Sequence, residues 1–192
     1  MWRHGPLLRA PPRVLCLTMV PGGTMEAALR LLGYQPYTFR HVFTKGRAST
    51  HPQEWCTLLD RKKRFDFAIL EGSQGDRGFD ALVGPPCTLA FEAILKECPR
   101  STRVILVDEA DKESWAFEAN ALWGPLLKQT ERSARRRAGV HLHEMVQKMM
   151  AGMVEEVSGR RKRLPPAAAL DALEQHIKEV VPRDRLLVYR LG

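Results

Sequence analysis

The residues best placed to do chemistry are Pro21, Gly22, Gly23 and Thr24. They follow the apolar run Val14-Leu15-Cys16-Leu17-Thr18-Met19-Val20 and precede the helix-forming stretch Met25-Glu26-Ala27-Ala28. A buried strand that ends in a tight glycine turn and opens a helix presents unpaired backbone N–H groups to an anion, with the positive end of the helix dipole behind them. That is the outline of a phosphate-binding turn. This turn contains no Lys or Arg, the charge that a phosphate site normally adds to its N–H groups. Gly22, Gly23 and Thr24 are therefore the candidate cofactor-binding residues, as a residual anion site, and the simpler reading is a strand-to-helix turn.

Other polar residues offer less. His141 and His143 stand two apart, so a helix would turn them to different sides, which argues against a metal pair. His176 reads as a packing or surface residue and Asp80 as a turn residue. Cys16, Cys56, Cys87 and Cys98 are scattered without C-x-x-C spacing and read as reduced structural thiols. No metal site and no catalytic residue is assigned.

The elements that would hold the turn alternate between strand and helix. Arg13 to Met19 predicts a buried strand, and Thr24 is a candidate cap for a helix that ends at Gly33. Pro36 to Val42 and Phe65 to Leu70 read as strands, and Asp80 to Val83 as a short apolar segment. Helices are expected within His51 to Arg64, from Cys87 to Cys98, and from Lys112 to Trp123, the last closed by Gly124-Pro125. Arg103 to Asp108 is a clear strand. His141 to Val157 carries a Met-rich apolar stripe that reads as core more readily than as an adaptable binding face. A basic, proline-ended linker near 158–166 precedes a helix from Ala167 to Val181 and a final strand from Arg185 to Tyr189. The pattern predicts an α/β fold of three layers, a mostly parallel sheet with helices on both faces.

A chain of 192 residues suits one such domain, 13–192, behind a basic N-terminal extension, 1–12. No stretch approaches the roughly 18 uninterrupted apolar residues of a membrane helix, so no membrane insertion is expected. A cytoplasmic, intracellular address follows, with mitochondrial targeting as the alternative, because Arg3, Arg9 and Arg13 precede the first acidic residue, Glu26. The net charge of +8 is clustered. Arg132 and Arg135, Arg136 and Arg137 form one group, Arg160, Arg161, Lys162 and Arg163 another, and Arg61, Lys62, Lys63 and Arg64 a third. Such runs can meet an acidic protein face or an RNA backbone. No aromatic residues interleave with them to stack bases.

Four pieces, in order, then carry a resemblance. They are Ala27 to Tyr34 (A-A-L-R-L-L-G-Y), Gly78 to Cys87 (G-F-D-A-L-V-G-P-P-C), Arg103 to Trp115 (R-V-I-L-V-D-E-A-D-K-E-S-W) and His176 to Tyr189 (H-I-K-E-V-V-P-R-D-R-L-L-V-Y). Over residues 13–192 the chain resembles the sulfotransferase-like branch of P-loop proteins. The resemblance implies 3′-phosphoadenosine-5′-phosphosulfate as sulfuryl donor and a hydroxyl or amine as acceptor. It implies a basic residue in the first loop, an Arg in an R-D-P-x-x-W pattern for the 3′-phosphate, and a carboxylate in a D-W-P or D-Y-P pattern near the acceptor. The family's Trp in that pattern matches Trp115, which is expected to anchor its helix in the core.

The departures fall on the charged positions. Aligned on Ala27, the first-loop Arg becomes Met19, and aligned on Gly23-Thr24 it becomes Gly22. The second Arg becomes Ala110, beside Asp108 and Glu109, and the acceptor carboxylate falls in Gly84-Pro85-Pro86. Each charge-assisted phosphate contact contributes about 1.5–3 kcal/mol. Losing two weakens the cofactor by about two to four decades, at about 1.4 kcal/mol per decade. The expectation is a non-catalytic sulfotransferase-like domain, a pseudoenzyme, with no cofactor. It would serve as a structural or binding component of a larger assembly, with protein partners. The alternatives are an active sulfotransferase whose basic residues have moved, which would bind the phosphosulfate (PAPS) or its product (PAP), and an RNA-associated scaffold in a ribonucleoprotein particle. The residues expected to contact a partner or nucleic acid are Arg135, Arg136, Arg137, Arg160, Arg161, Lys162 and Arg163.

Overall fold

A computed structural model of the chain describes residues 10–20, 23–44, 47–72, 78–135, 139–152 and 166–191. Among these, five strands form one sheet: β1 Val14–Leu17, β2 Pro36–Tyr37, β3 Ala81–Val83, β4 Arg103–Glu109 and β5 Leu186–Leu191. Their order is β2-β3-β1-β4-β5 and every pairing is parallel. Six α-helices accompany them: α1 Thr24–Leu31, α2 His51–Leu59, α3 Phe91–Glu97, α4 Lys112–Arg135, α5 Val140–Gly152 and α6 Pro166–Val180. No helix among the described residues is long and apolar enough to cross a membrane.

The α/β layering is present but uneven. Leu15, Leu17, Leu82, Val104 and Leu106 face the larger core, which receives side chains from α2 through α6. Val14, Cys16, Ala81, Val83 and Val107 face a small core closed by Leu29 of α1. The parity follows from the pleat, since alternate residues of a strand point to opposite faces. Within α5 the Met-rich stripe is core, with Met145, Val146 and Met149 fully buried, while its continuation at Met153 and Val154 lies outside the described residues. Trp115 is buried in the same cluster, at the start of α4.

Four local expectations are corrected. Phe65 to Leu70 is not a strand, because Asp66 Oδ1 accepts the Ala68 N–H at 2.9 Å and turns Phe67–Leu70 into a short 3-10 helix. After two residues of β2 the chain again turns into a 3-10 helix, Phe39–Phe43, where the Thr38 N–H donates to His41 Nδ1 at 2.9 Å. The helix expected from Cys87 is confined to α3, because the turn before it is tied to β1. Finally, α4 runs through Gly124-Pro125 to Arg135. Packing of Trp123 into the larger core on one side of the proline and of Leu126 and Leu127 on the other outweighs the lost hydrogen bond.

Candidate functional site

Strand β1 lies between β3 and β4, so the chain crosses from one side of the sheet to the other around it. In open parallel sheets ligands bind at such a switch point, outside the carboxyl ends of the strands. Three segments meet there: the turn after β1, the turn after β3, and the end of β4.

The turn after β1 enters α1 at Gly23, whose φ of 79° is left-handed. Gly23 itself is the cap, and its carbonyl accepts the Ala27 N–H at 3.1 Å. Thr24 begins the helix and makes no side-chain cap, a correction to its expected role. Pro21 and Gly22 lie outside the described residues. Met19 is buried in the larger core. The carboxylate in the first turn of α1 is Glu26, and it holds two cations: Arg40 Nη2 at 2.7 Å and Arg30 Nη2 at 3.1 Å.

The turn after β3 is locked to the turn after β1. Thr88 Oγ1 accepts the Thr18 N–H at 3.0 Å and donates to the Thr18 carbonyl at 2.7 Å, both residues being buried. Gly84 has φ 72°, and a Cβ there would meet the Val20 carbonyl oxygen at 3.1 Å. The backbone at Gly84, where the resemblance places an acceptor carboxylate, is thus one that a side chain enters only with strain. Thr88→Val is expected to lower stability by about 1–3 kcal/mol by stranding the buried Thr18 groups. The midpoint of urea unfolding would show it, and an unchanged midpoint would mean that the lock contributes nothing.

The end of β4 carries the densest electrostatics. Its register passes the last residue of β1, Leu17, at Leu106 and continues with β5 through Asp108 and Glu109. Asp108 points to the α6 side, as Leu106 does, and is 4 % exposed. Lys178 of α6 lies 3.0 Å from its carboxylate, Arg190 of β5 3.5 Å and Lys112 of α4 3.6 Å. Lys112 also lies 2.9 Å from Glu174 and 3.4 Å from Asp171, and donates to the Glu109 carbonyl at 2.9 Å. Glu174, 2 % exposed, accepts the Glu109 N–H at 3.1 Å on Oε1. Its Oε2 meets Lys112 as an ion pair without a well-directed hydrogen bond. Burial raises the Glu174 carboxyl above its ordinary range. Burial also acts to raise Asp108, but the bond from Lys178, the neighbouring Glu174 carboxyl and the fields of Lys178 and Lys112 together outweigh it, bringing it down to about 2. Asp111 Oδ1 caps α4 by accepting the Ser114 N–H at 2.9 Å.

Across these three segments, five cations near the carboxyl end of the sheet are held by carboxylates of the chain: Arg30, Arg40, Lys112, Lys178 and Arg190. The family model for the sulfotransferase domain matches residues 13–192. The chain belongs to the sulfotransferase-domain family. No curated protein sequence matches it closely enough to count as a relative. In this sulfotransferase-like domain the position of the family's second Arg, Ala110, follows the Asp108–Glu109 pair, and the next cation, Lys112, is bound inward to Glu174.

The remaining candidates fall elsewhere. Arg135 is paired with Glu131 at 2.6 Å, within one helix. Arg136, Arg137, Arg160, Arg161, Lys162 and Arg163 lie outside the described residues. Asp80 Oδ1 accepts the Gln35 N–H at 2.6 Å, as a turn residue does. His176 contacts Glu92 at 2.8 Å across the seam between α6 and α3. His143 bonds Thr130 at 3.1 Å and His141 lies 3.6 Å from Glu144, so each has a separate partner. The four thiols are free and buried. Burial pushes Cys16 and Cys56 up to about 12 and Cys98 to about 11, so none is a thiolate nucleophile near neutral pH.

Sequence reading noted Met19 or Gly22, and Ala110, where the resemblance implies Arg, but not the ion pairs around them. Glu174 lies far along the chain from Asp108, and only the return of α6 brings the two together. The Glu26–Arg30 spacing of four was a visible helix pair, whereas the arrival of Arg40 was not.

Proposed function

We propose that this chain is a non-catalytic sulfotransferase-like domain that serves as a binding or structural component of a larger assembly. The observation that carries the reading is the pairing of Lys112, Lys178 and Arg190 with the buried carboxylates of Asp108 and Glu174. A phosphosulfate nucleotide brings several negative charges and needs cations aimed outward at them. Among the described residues, Arg30, Arg40, Lys112, Lys178 and Arg190 are each paired with Asp108, Glu174 or Glu26, the last set in the first turn of the helix that an anion would use. Met19 lies in the core and Ala110 has no charge, so the residues present do not fit the family's donor.

The reading is tested by thermal unfolding with 3′-phosphoadenosine-5′-phosphate. A ligand at one hundred times its Kd stabilises a fold by about 2.7 kcal/mol. The midpoint is expected not to move at millimolar nucleotide. A rise of several degrees would overturn the reading.

A further inference from the structure

The sheet has two edges, and they differ. The β2 edge is two residues long and begins at Pro36, which has no N–H to offer a further strand. The β5 edge is six residues long, Leu186-Leu187-Val188-Tyr189-Arg190-Leu191, with no proline and with Arg190 as its only charged residue. Every one of these residues is in register with β4 on one side. The Arg185 carbonyl accepts the Val104 N–H at 2.8 Å, so Arg185 faces β4. The N–H and C=O of one strand residue point to the same side, and successive residues alternate. Leu187, Tyr189 and Leu191 therefore bond toward β4, and Leu186, Val188 and Arg190 turn their N–H and C=O groups to the open edge. Among the described residues the one partner these groups have is the Arg183 carbonyl, 3.4 Å from the Leu186 N–H. The side chains along the edge are apolar and uncovered. Leu187 is 60 % exposed and Tyr189 47 %, on the face they share with Ile105 and Val107, and Val188 is 43 % exposed on the other.

We propose that β5 pairs antiparallel with β5 of a second copy of this chain across a two-fold axis, joining two five-stranded sheets into one. The edge complements itself in one register, with Val188 opposite Val188. That register sets each outward residue against an outward residue, Val188 against Val188 and Leu186 against Arg190 on either side of the axis. Between them it places Leu187 of each copy directly opposite Tyr189 of the other, at the non-hydrogen-bonded positions where side chains approach most closely. These are the two most exposed apolar side chains of the strand with described burial. Charge agrees with the same register. The two Arg190 side chains stand at opposite ends of the paired segment, each across from Leu186. Sliding the pair toward the carboxyl ends brings the arginines together, and sliding it back shortens the ladder. A slip of one residue sets outward groups against inward ones. The pairing uses the long edge of both copies and leaves only the short β2 edges, so it closes at two. It is independent of whether the domain holds a nucleotide.

The test is sedimentation velocity of the full chain and of two edge variants. A strand pair is a small interface, so a reversible dimer is expected, populated near about 100 µM and dissociated near about 1 µM. Val188→Pro removes an N–H that points away from β4, where a sheet edge tolerates proline, and should weaken the dimer at least about tenfold. Leu187→Lys puts a charge on an exposed position and should weaken it by at least about the same factor. Circular dichroism of both variants should match the parent chain. Cysteine substitution reads the register separately, because the chain's own four thiols are buried. Val188→Cys lies across from itself, at the Cα separation of about 5.5 Å that a disulfide spans, and mild oxidation should link the dimer covalently. Leu187→Cys lies across from Tyr189 and should link far less. A parent chain that stays monomeric at about 100 µM would overturn the proposal. So would a dimer that both edge variants leave intact, which would put the contact on another surface. Linking of Leu187→Cys as readily as of Val188→Cys would overturn the register and the pairing with it.

Discussion

Replacing Lys112 with Met is expected to remove about 3–5 kcal/mol of folding stability near neutral pH, the scale for a buried pair that loses one partner. Asp108 keeps Lys178 and Arg190 in the variant. Glu174 keeps only the Glu109 N–H, and its charge is left in a 2 % exposed site. The double variant Lys112→Met, Glu174→Gln should recover most of the loss, because it removes the stranded charge together with its partner. The pH dependence has a definite sign. The folded Glu174 carboxyl titrates above its ordinary 4.5, so the folded state holds this proton more tightly than the unfolded chain does. Its contribution is most favourable below 4.5 and falls as pH rises through the folded value. Without Lys112 that value rises further, so the variant's deficit should narrow on acidification toward 4.5. Asp108 acts in the opposite sense. With its carboxyl held down from 3.8 to about 2, its contribution is full above 3.8 and is lost as pH falls toward 2. The difference between variant and wild-type denaturant midpoints from neutral pH down to 4.5 would therefore report Glu174, because the histidines that burial lowers, His41 and His51, titrate in both proteins. Wild-type stability in the single variant at neutral pH would contradict the ion network.

The second large effect is expected from restoring the family's charge at Met19. That side chain is 4 % exposed and packs in the larger core, next to the Thr18–Thr88 lock. An Arg there would have to bury its guanidinium or break the lock to reach solvent. Met19→Arg should cost about 3 kcal/mol or more, by the penalty for an unpaired buried charge. Met19→Leu should stay within about 1.5 kcal/mol as a volume-conserving change. The restored Arg is expected to bring no nucleotide affinity, because Glu26 and Asp108 still hold the surrounding cations. A stable Met19→Arg protein that binds the nucleotide would mean that the site is one substitution from competence.

Strands β1 and β4 were legible because each is an apolar run buried on both faces, as a central parallel strand requires. The run Phe65 to Leu70 has the same composition, yet the side chain of Asp66 supplies a local hydrogen bond that closes it into a 3-10 helix. Periodicity does not register one such bond. Pro125 is the converse, a strong helix breaker accepted inside α4 because the core holds the helix on both sides of it. For the site, the uncharged residues Met19 or Gly22, and Ala110, at positions where the resemblance implies Arg were legible in the sequence alone. The ion pairs were not, because Glu26 with Arg40, Asp108 with Lys178 and Lys112 with Glu174 are contacts between different elements. The open edge was half visible: Arg185 to Tyr189 stood out as a final strand, but its place at the rim of the sheet is set by its pairing with β4.

The central claim is that the carboxyl end of this sheet no longer receives a phosphosulfate nucleotide. Calorimetric titration of the purified chain with 3′-phosphoadenosine-5′-phosphate, at low and at moderate salt, tests it most directly. The account predicts no saturable heat at micromolar concentrations in a folded sample. Saturable micromolar binding that weakens when Gly23 is replaced by a bulky residue would contradict it.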